Sequence, residues 1–122
     1  MINFYHNSVL QNAGGSLTSS VYIYSSTNNY FGGLEFVGNI FSNVAGGFAF
    51  STDAAVQTNN LISRSDYNCY YTIGSYVAKY GSVFVSNLGG ITNIISQTQK
   101  DSNSIFANPK FYSNQNLHSY SI

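Results

Sequence analysis

Charge is the first thing this 122-residue chain lacks. Lys and Arg number four, Asp and Glu number four, and the net charge is zero with histidine neutral. Only 7% of residues are charged, against roughly 25% in typical soluble chains. No basic stripe exists to meet a phosphate backbone, so nucleic acid is not an expected partner. Cysteine occurs once, at Cys69. That excludes an intramolecular disulfide and a thiolate zinc cluster, and a lone cysteine reads as a small buried hydrophobe. No apolar run approaches the roughly 20 residues of a membrane helix, so membrane insertion is not expected. Met1 leads straight into a strand-like Ile2-Asn3-Phe4, without a signal-peptide pattern. No Asn-x-Ser/Thr acceptor occurs, and there is no GxGxxG, P-loop or HExxH. Cofactor and metal residues are therefore expected to be none.

Aromatic residues are plentiful instead, at 16%, all of them Tyr or Phe. Tyr, Phe, Val, Ile and Thr favour strands, while Asn, Gly and Ser favour turns. This mixture predicts an all-β protein with many short strands. Disorder is not indicated, because it needs low hydrophobicity and high net charge.

An internal repeat organises the strands. Asn7 lies in Phe4-Tyr5-His6-Asn7-Ser8-Val9, Asn39 in Phe36-Val37-Gly38-Asn39-Ile40-Phe41, and Asn68 in Ser65-Asp66-Tyr67-Asn68-Cys69-Tyr70. They are 32 and 29 residues apart. Val9, Phe41 and Tyr70 follow at the same offset. Phe4 and Phe36 precede the first two, as do Ile2 and Leu34. In the third unit a one-residue slip would bring Leu61 and Ile62 into the apolar places. Val21-Tyr22-Ile23-Tyr24 and Gly46-Gly47-Phe48-Ala49-Phe50 read as a second set of strands. Gly32-Gly33 reads as a corner before Leu34. Each unit is then strand, turn, strand, loop.

Units of about 30 residues made of short strands cannot bury their apolar faces alone, and stacked neighbours do so. Stacking in parallel places equivalent residues about 4.8 Å apart. The pattern therefore predicts a parallel β-helix with an inward ladder of Asn7, Asn39 and Asn68, each amide donating to the next. Asparagine suits a buried corner because it tolerates left-handed dihedrals. The expected organisation is one partial β-helix domain over 1–122, with coils at about 1–32, 33–61 and 62–86, then a helix and final strands over 87–122. The short helix is expected near residues 88–98. Asn87 is placed to cap it, and Leu88, Ile91, Ile94 and Ile95 form its core face. Pro109 fixes an extended exit.

The stretch Asn39-Ile40-Phe41-Ser42-Asn43, then Ser65-Asp66-Tyr67-Asn68-Cys69-Tyr70-Tyr71, resembles the NNIF…SDYNxYY pattern of bacterial right-handed parallel β-helix repeat proteins, in the pectin-lyase-like superfamily. Gln99 to Ile105, Asn108-Pro109-Lys110-Phe111 and Asn116-Leu117-His118 resemble the segment that follows that pattern. The resemblance implies a right-handed solenoid, a C-terminal piece of a bacterial secreted or cell-surface protein. The superfamily holds lyases, hydrolases and adhesins, so the resemblance is a poor guide to activity.

No catalytic residue is expected within these residues. Glu35 and Arg64 fall at one place in neighbouring units, with Asn3 at that place in the first, and read as an outward surface pair. Asp66 belongs to a turn, and His6 and His118 are isolated polar residues. Tyr22, Tyr24, Tyr30, Tyr76 and Tyr80 are the ligand-like feature, as exposed faces on which a sugar stacks. The first reading is a structural or adhesive shaft contacting polysaccharide. The alternative is a coil block of a polysaccharide lyase or glycoside hydrolase whose catalytic residues lie elsewhere. Open ends are expected at both extremes, covered by adjacent coils of a parent chain or by self-association.

Overall fold

The computed structural model describes residues 2–24, 33–53 and 62–118. Leu61, Gly32 and Tyr30, singled out above, lie outside the described residues. The protein is mostly β. Nine short strands come in three successive triplets. They are β1 (Ile2–Tyr5), β2 (Ser8–Gln11) and β3 (Ser19–Ile23), then β4 (Leu34–Val37), β5 (Ile40–Asn43) and β6 (Phe48–Thr52), then β7 (Ile62–Asp66), β8 (Cys69–Thr72) and β9 (Tyr76–Tyr80). After them come β10 (Val83–Ser86), α1 (Ile91–Thr98) and β11 (Ile105–Phe106). Each unit thus holds three strands, one more than the expected two, because the asparagine corner divides the first run.

Each strand from β1 to β6 pairs in parallel with the strand three elements later. Three sheets result, ordered β1-β4-β7, β2-β5-β8-β11 and β3-β6-β9-β10. Only the β9–β10 hairpin is antiparallel. Register follows the repeat: Phe4 opposes Phe36, and Val9, Phe41 and Tyr70 share one row. The third unit slips by one residue between Leu34 and Glu35, which leaves Ile62 opposite Leu34.

The core is the space between the sheets. Phe36, Phe41, Phe50, Tyr70 and Val77 are buried there. The Phe4 ring lies flat on Phe36 at 4.9 Å and 8°, while Phe36 meets Phe50 edge-on at 5.3 Å. Burying one such ring is worth about 1.5–3 kcal/mol, so rings that meet between units stabilise their stacking.

Asn7, Asn39 and Asn68 form a directional row. Asn7 Nδ2 donates to Asn39 Oδ1 at 3.1 Å, and Asn39 Nδ2 donates to Asn68 Oδ1 at 3.1 Å. The backbone N–H groups of Asn7 and Asn39 donate to the same two oxygens. The left-handed residue at each corner is not the asparagine, as expected, but the one before it. His6, Gly38 and Tyr67 have φ of 55°, 69° and 56°. The corner is tight enough that a Cβ on Gly38 would stand 2.7 Å from His6 Nδ1.

The row ends on residues of another type. Ser104 Oγ accepts from the Asn68 backbone N–H at 2.8 Å, the part played by the Asn68 and Asn39 side-chain oxygens one and two units earlier. Asn68 Nδ2 donates to Asp101 Oδ1, which also accepts from Ser65, Tyr70 and Ser104 hydroxyls at 2.8–3.0 Å. An ionised carboxylate accepts and never donates, so it terminates a row of donors.

The end of the stack beyond β7, β8 and β9 is covered, contrary to the expected open edge. Strand β10 lies on β9 and β11 on β8, while the Asp101 N–H donates to Ser65 O beside β7. Helix α1 brings Ile94 into the core with no exposure. The helix differs from the expected one at its start. Ser86, not Asn87, caps a 3-10 turn at Asn87–Gly89, and Gly90, at φ 55°, separates that turn from α1. Leu88 is therefore 95% exposed and off the core face. Glycine weakens a continuous helix, and two in succession reset its phase.

Candidate functional site

A groove of about 620 Å3 lies on the outer face of the β3-β6-β9-β10 sheet. That size falls within the roughly 300–1,000 Å3 typical of small-ligand sites. One row of cross-strand neighbours runs through it from Tyr22 to Lys79 and ends on Phe84, outside the lining. Tyr22 opposes Ser51, Ser51 opposes Lys79, and Lys79 opposes Phe84. Strand side chains alternate between faces, so these point outward while Val21 and Ile23 pack against the core.

The row places an aromatic ring at each end and polar groups between. Tyr22 is 59% exposed. The Phe84 ring packs on Tyr76 at 5.2 Å and on Phe48 at 5.8 Å, which fixes its tilt. The Lys79 ammonium stands 5.4 Å from the Phe84 ring centre, within cation–π range. Ser19 and Ser51 hydroxyls bond each other at 2.6 Å, and Asp53 and Leu17 line the sides. Hydroxyl, ammonium and carboxylate groups flanked by ring faces suit a ligand with apolar C–H faces and many hydroxyls.

Of the five tyrosines proposed from the sequence, the four within the described residues separate in space. Tyr22 lines the groove, and Tyr76 is exposed outside the lining, packed on Phe84. Tyr24 is exposed beyond β3 and outside the groove. Tyr80 is corrected: it is buried, with its ring against Phe50 at 6.1 Å, and offers no stacking face. It shares the inward row of Ile23 and Thr52. Burial, with Asp101 nearby, raises its hydroxyl pKa. Phe84, Lys79 and Ser51 were missed as a group because the row they form with Tyr22 crosses four strands and repeats no residue type.

The acids do not converge on the groove. Asp53 lines it. Glu35 accepts the Tyr5 hydroxyl on another sheet, and this hydrogen bond raises the tyrosine pKa. Asn3, Glu35 and Arg64 stand in one register row there. Asp66 accepts from the Asn103 backbone N–H at 2.8 Å and from its side chain at 2.9 Å. Asp101 is buried at the end of the asparagine row. Carboxylate-pair cleavage of a glycosidic bond needs two acids within roughly 5–10 Å across the scissile bond, and the groove lining supplies one. Among the described residues no three His, Cys, Asp or Glu side chains gather to hold a metal. Cys69 is buried and donates to Ala107 O at 3.2 Å. Burial pushes its thiol up to about 11. His6 sits at a corner and His118 bonds Asn116 in the exposed tail.

In comparison with known proteins, no family model, no curated protein and no solved structure matches the chain.

Proposed function

We propose that the chain is a run of stacked coils of a right-handed parallel β-helix, resembling the pectin-lyase-like superfamily, and that it serves as a structural or adhesive segment of a secreted or cell-surface protein, contacting polysaccharide through the groove lined by Tyr22, Ser51 and Lys79. The observation that carries this reading is the parallel pairing of every strand from β1 to β6 with the strand three elements later. Such pairing suits a rod, because each unit rests on the next and the outer faces stay free for contact. The carbohydrate part rests on the groove, where the exposed Tyr22 stands with Ser51, Asp53 and Lys79.

The test is binding to a panel of immobilised neutral and acidic polysaccharides. At least one should retain the protein. Tyr22→Ala and Lys79→Ala should each weaken that binding about tenfold without moving the melting temperature, since both side chains lie on the outer face. Retention by none, or retention that both variants leave unchanged, rejects the groove as the contact. Release of unsaturated sugars during the assay would replace the shaft reading with that of a lyase segment.

A further inference from the structure

A second pocket lies on a different sheet. Val9 and Phe41 pack inward, so Leu10 and Ser42, the next residues on β2 and β5 and partners in register, point to the outer face of the β2-β5-β8-β11 sheet. The segment after β11 lies against that face. The Ala107 N–H donates to Tyr70 O at 3.2 Å, and Pro109 is fully buried, which anchors the segment. Between it and the sheet is a pocket of about 540 Å3, with Leu10, Val44 and Phe111 as its apolar part.

The polar lining is left with donors. Asn108 Oδ1 accepts the Lys110 backbone N–H at 2.9 Å, and Ser113 Oγ accepts the backbone N–H groups of Gln115 and Asn116 at 3.2 and 3.0 Å. These turns use the side-chain oxygens and leave the Asn108 Nδ2 and Ser113 hydroxyl protons to the pocket. Among the described residues no hydrogen bond engages the side chains of Asn12, Ser42 or Asn114, although Ser42 is only 1% exposed. An amide can offer either end, and Lys110 decides the sign. Its ammonium has no ion pair among the described residues, and none of the chain's four acids lines the pocket. The complement of such a lining is an acceptor with negative charge. The apolar wall selects among anions. It offers nothing to the remaining oxygens of phosphate or sulfate, whereas a carboxylate turns both oxygens one way and its body the other.

We propose that this pocket is a second binding site, for a carboxylate carried on a body with apolar C–H surface, with Lys110 as its charge partner, Ser42, Asn108 and Asn114 as hydrogen-bond donors, and Leu10, Val44 and Phe111 against the body. The inference is independent of the polysaccharide groove, which lies on another sheet and is lined by Lys79.

The experiment titrates the full chain with hexanoate, galacturonate, inorganic phosphate and uncharged 1-hexanol, read by calorimetry. At least one carboxylate should bind with a Kd of about 1 mM or tighter. Phosphate and hexanol should bind at least about tenfold more weakly, because each lacks half of the match. A preference for hexanoate identifies a free organic acid as the ligand, and a preference for galacturonate an acidic sugar; both keep the carboxylate assignment. Lys110→Gln should weaken binding about tenfold at an unchanged melting temperature, since the side chain is exposed. In the unaltered protein, binding should fall as salt rises, an arm that needs no variant to fold. Lys79→Ala should weaken polysaccharide retention and leave carboxylate binding unchanged, so the two readings fail separately. Binding of neither carboxylate, equal binding of phosphate or hexanol, full affinity in Lys110→Gln, or loss of carboxylate binding in Lys79→Ala each overturns the proposal.

Discussion

Asn39 reaches Asn68 twice: its backbone N–H and its Nδ2 both donate to Asn68 Oδ1, at 2.9 and 3.1 Å. The same Nδ2 also donates to Phe4 O at 2.7 Å, so one buried amide ties three units together.

Replacing Asn39 by Leu strands the two Asn7 N–H groups and Phe4 O and removes one of the two donors to Asn68 Oδ1, whose bond from the residue-39 backbone N–H remains. Each buried polar group so stranded costs about 1–3 kcal/mol, and the expected total loss is about 3 kcal/mol or more. Asn7→Leu, at the exposed end of the row, should cost about 1 kcal/mol. Urea midpoints of the two variants check this, and equal losses would contradict a row that is buried at one end and open at the other.

Asp101 carries the terminal charge of that row. Its φ of 63° is tolerated by Asn, so Asp101→Asn isolates the charge from the backbone. The carboxylate accepts from Ser65, Asn68, Tyr70 and Ser104. Charge-assisted bonds are roughly twice as strong as neutral ones, so the variant should lose about 2 kcal/mol in equilibrium denaturation.

Gly38 and Tyr67 occupy the same left-handed corner in successive units. Gly38→Ala brings a Cβ to 2.7 Å from His6 Nδ1 and should cost at least about 1 kcal/mol. Adding His6→Gly should recover part of that loss, because it removes the ring in the way and relieves a second left-handed residue. Additive losses in the double-mutant cycle would show that the contact does not matter.

Cys69 should resist thiol reagents at pH 8 until the chain unfolds, because burial holds its pKa at about 11. The same shift has a sign in stability. The folded pKa is raised, so its contribution is full below the ordinary thiol range and is lost as pH rises towards 11. Cys69→Ala should flatten the first part of the alkaline slope. The Tyr70 and Tyr80 hydroxyls, raised by burial, should dominate beyond it.

Asp66 sets the opposite limb. Desolvation opposes its charge, but hydrogen bonds from the Asn103 side chain and backbone outweigh it and hold the carboxyl below the usual range. A depressed folded pKa stabilises above the unfolded value of 3.8 and is lost as pH falls through the folded one. Asn103→Ala should therefore reduce the drop in melting temperature between pH 5 and pH 2. An unchanged drop would mean the Asn103 side-chain bond contributes nothing.

What could be read from the residues was what repeats by identity or by apolar character. Asn7, Asn39 and Asn68 stand in one row, as do Phe4 with Phe36 and Val9 with Phe41 and Tyr70, because parallel stacking puts equal offsets at equal heights. Substitution by function rather than by type escaped notice. Ser104 and Asp101 finish the row with a hydroxyl and a carboxylate, and no search for asparagine finds them. The corner residues His6, Gly38 and Tyr67 share a dihedral and no chemistry, so their common role shows only in the backbone.

Composition and periodicity by themselves determined a β protein of repeating short strands with a row of asparagines, since strand propensity and turn chemistry are local and a repeat is visible in one dimension. Tertiary structure alone decided which aromatic faced water. Tyr22 and Tyr80 look alike in sequence, yet one caps an outward row with Ser51 and Lys79 and the other fills an inward row with Ile23 and Thr52. Strand side chains alternate with a period of two, so the face a residue takes depends on a register set by neighbouring units. The same register made one row of Tyr22, Ser51, Lys79 and Phe84, four residues from four strands that no local pattern links, and the first three line the groove.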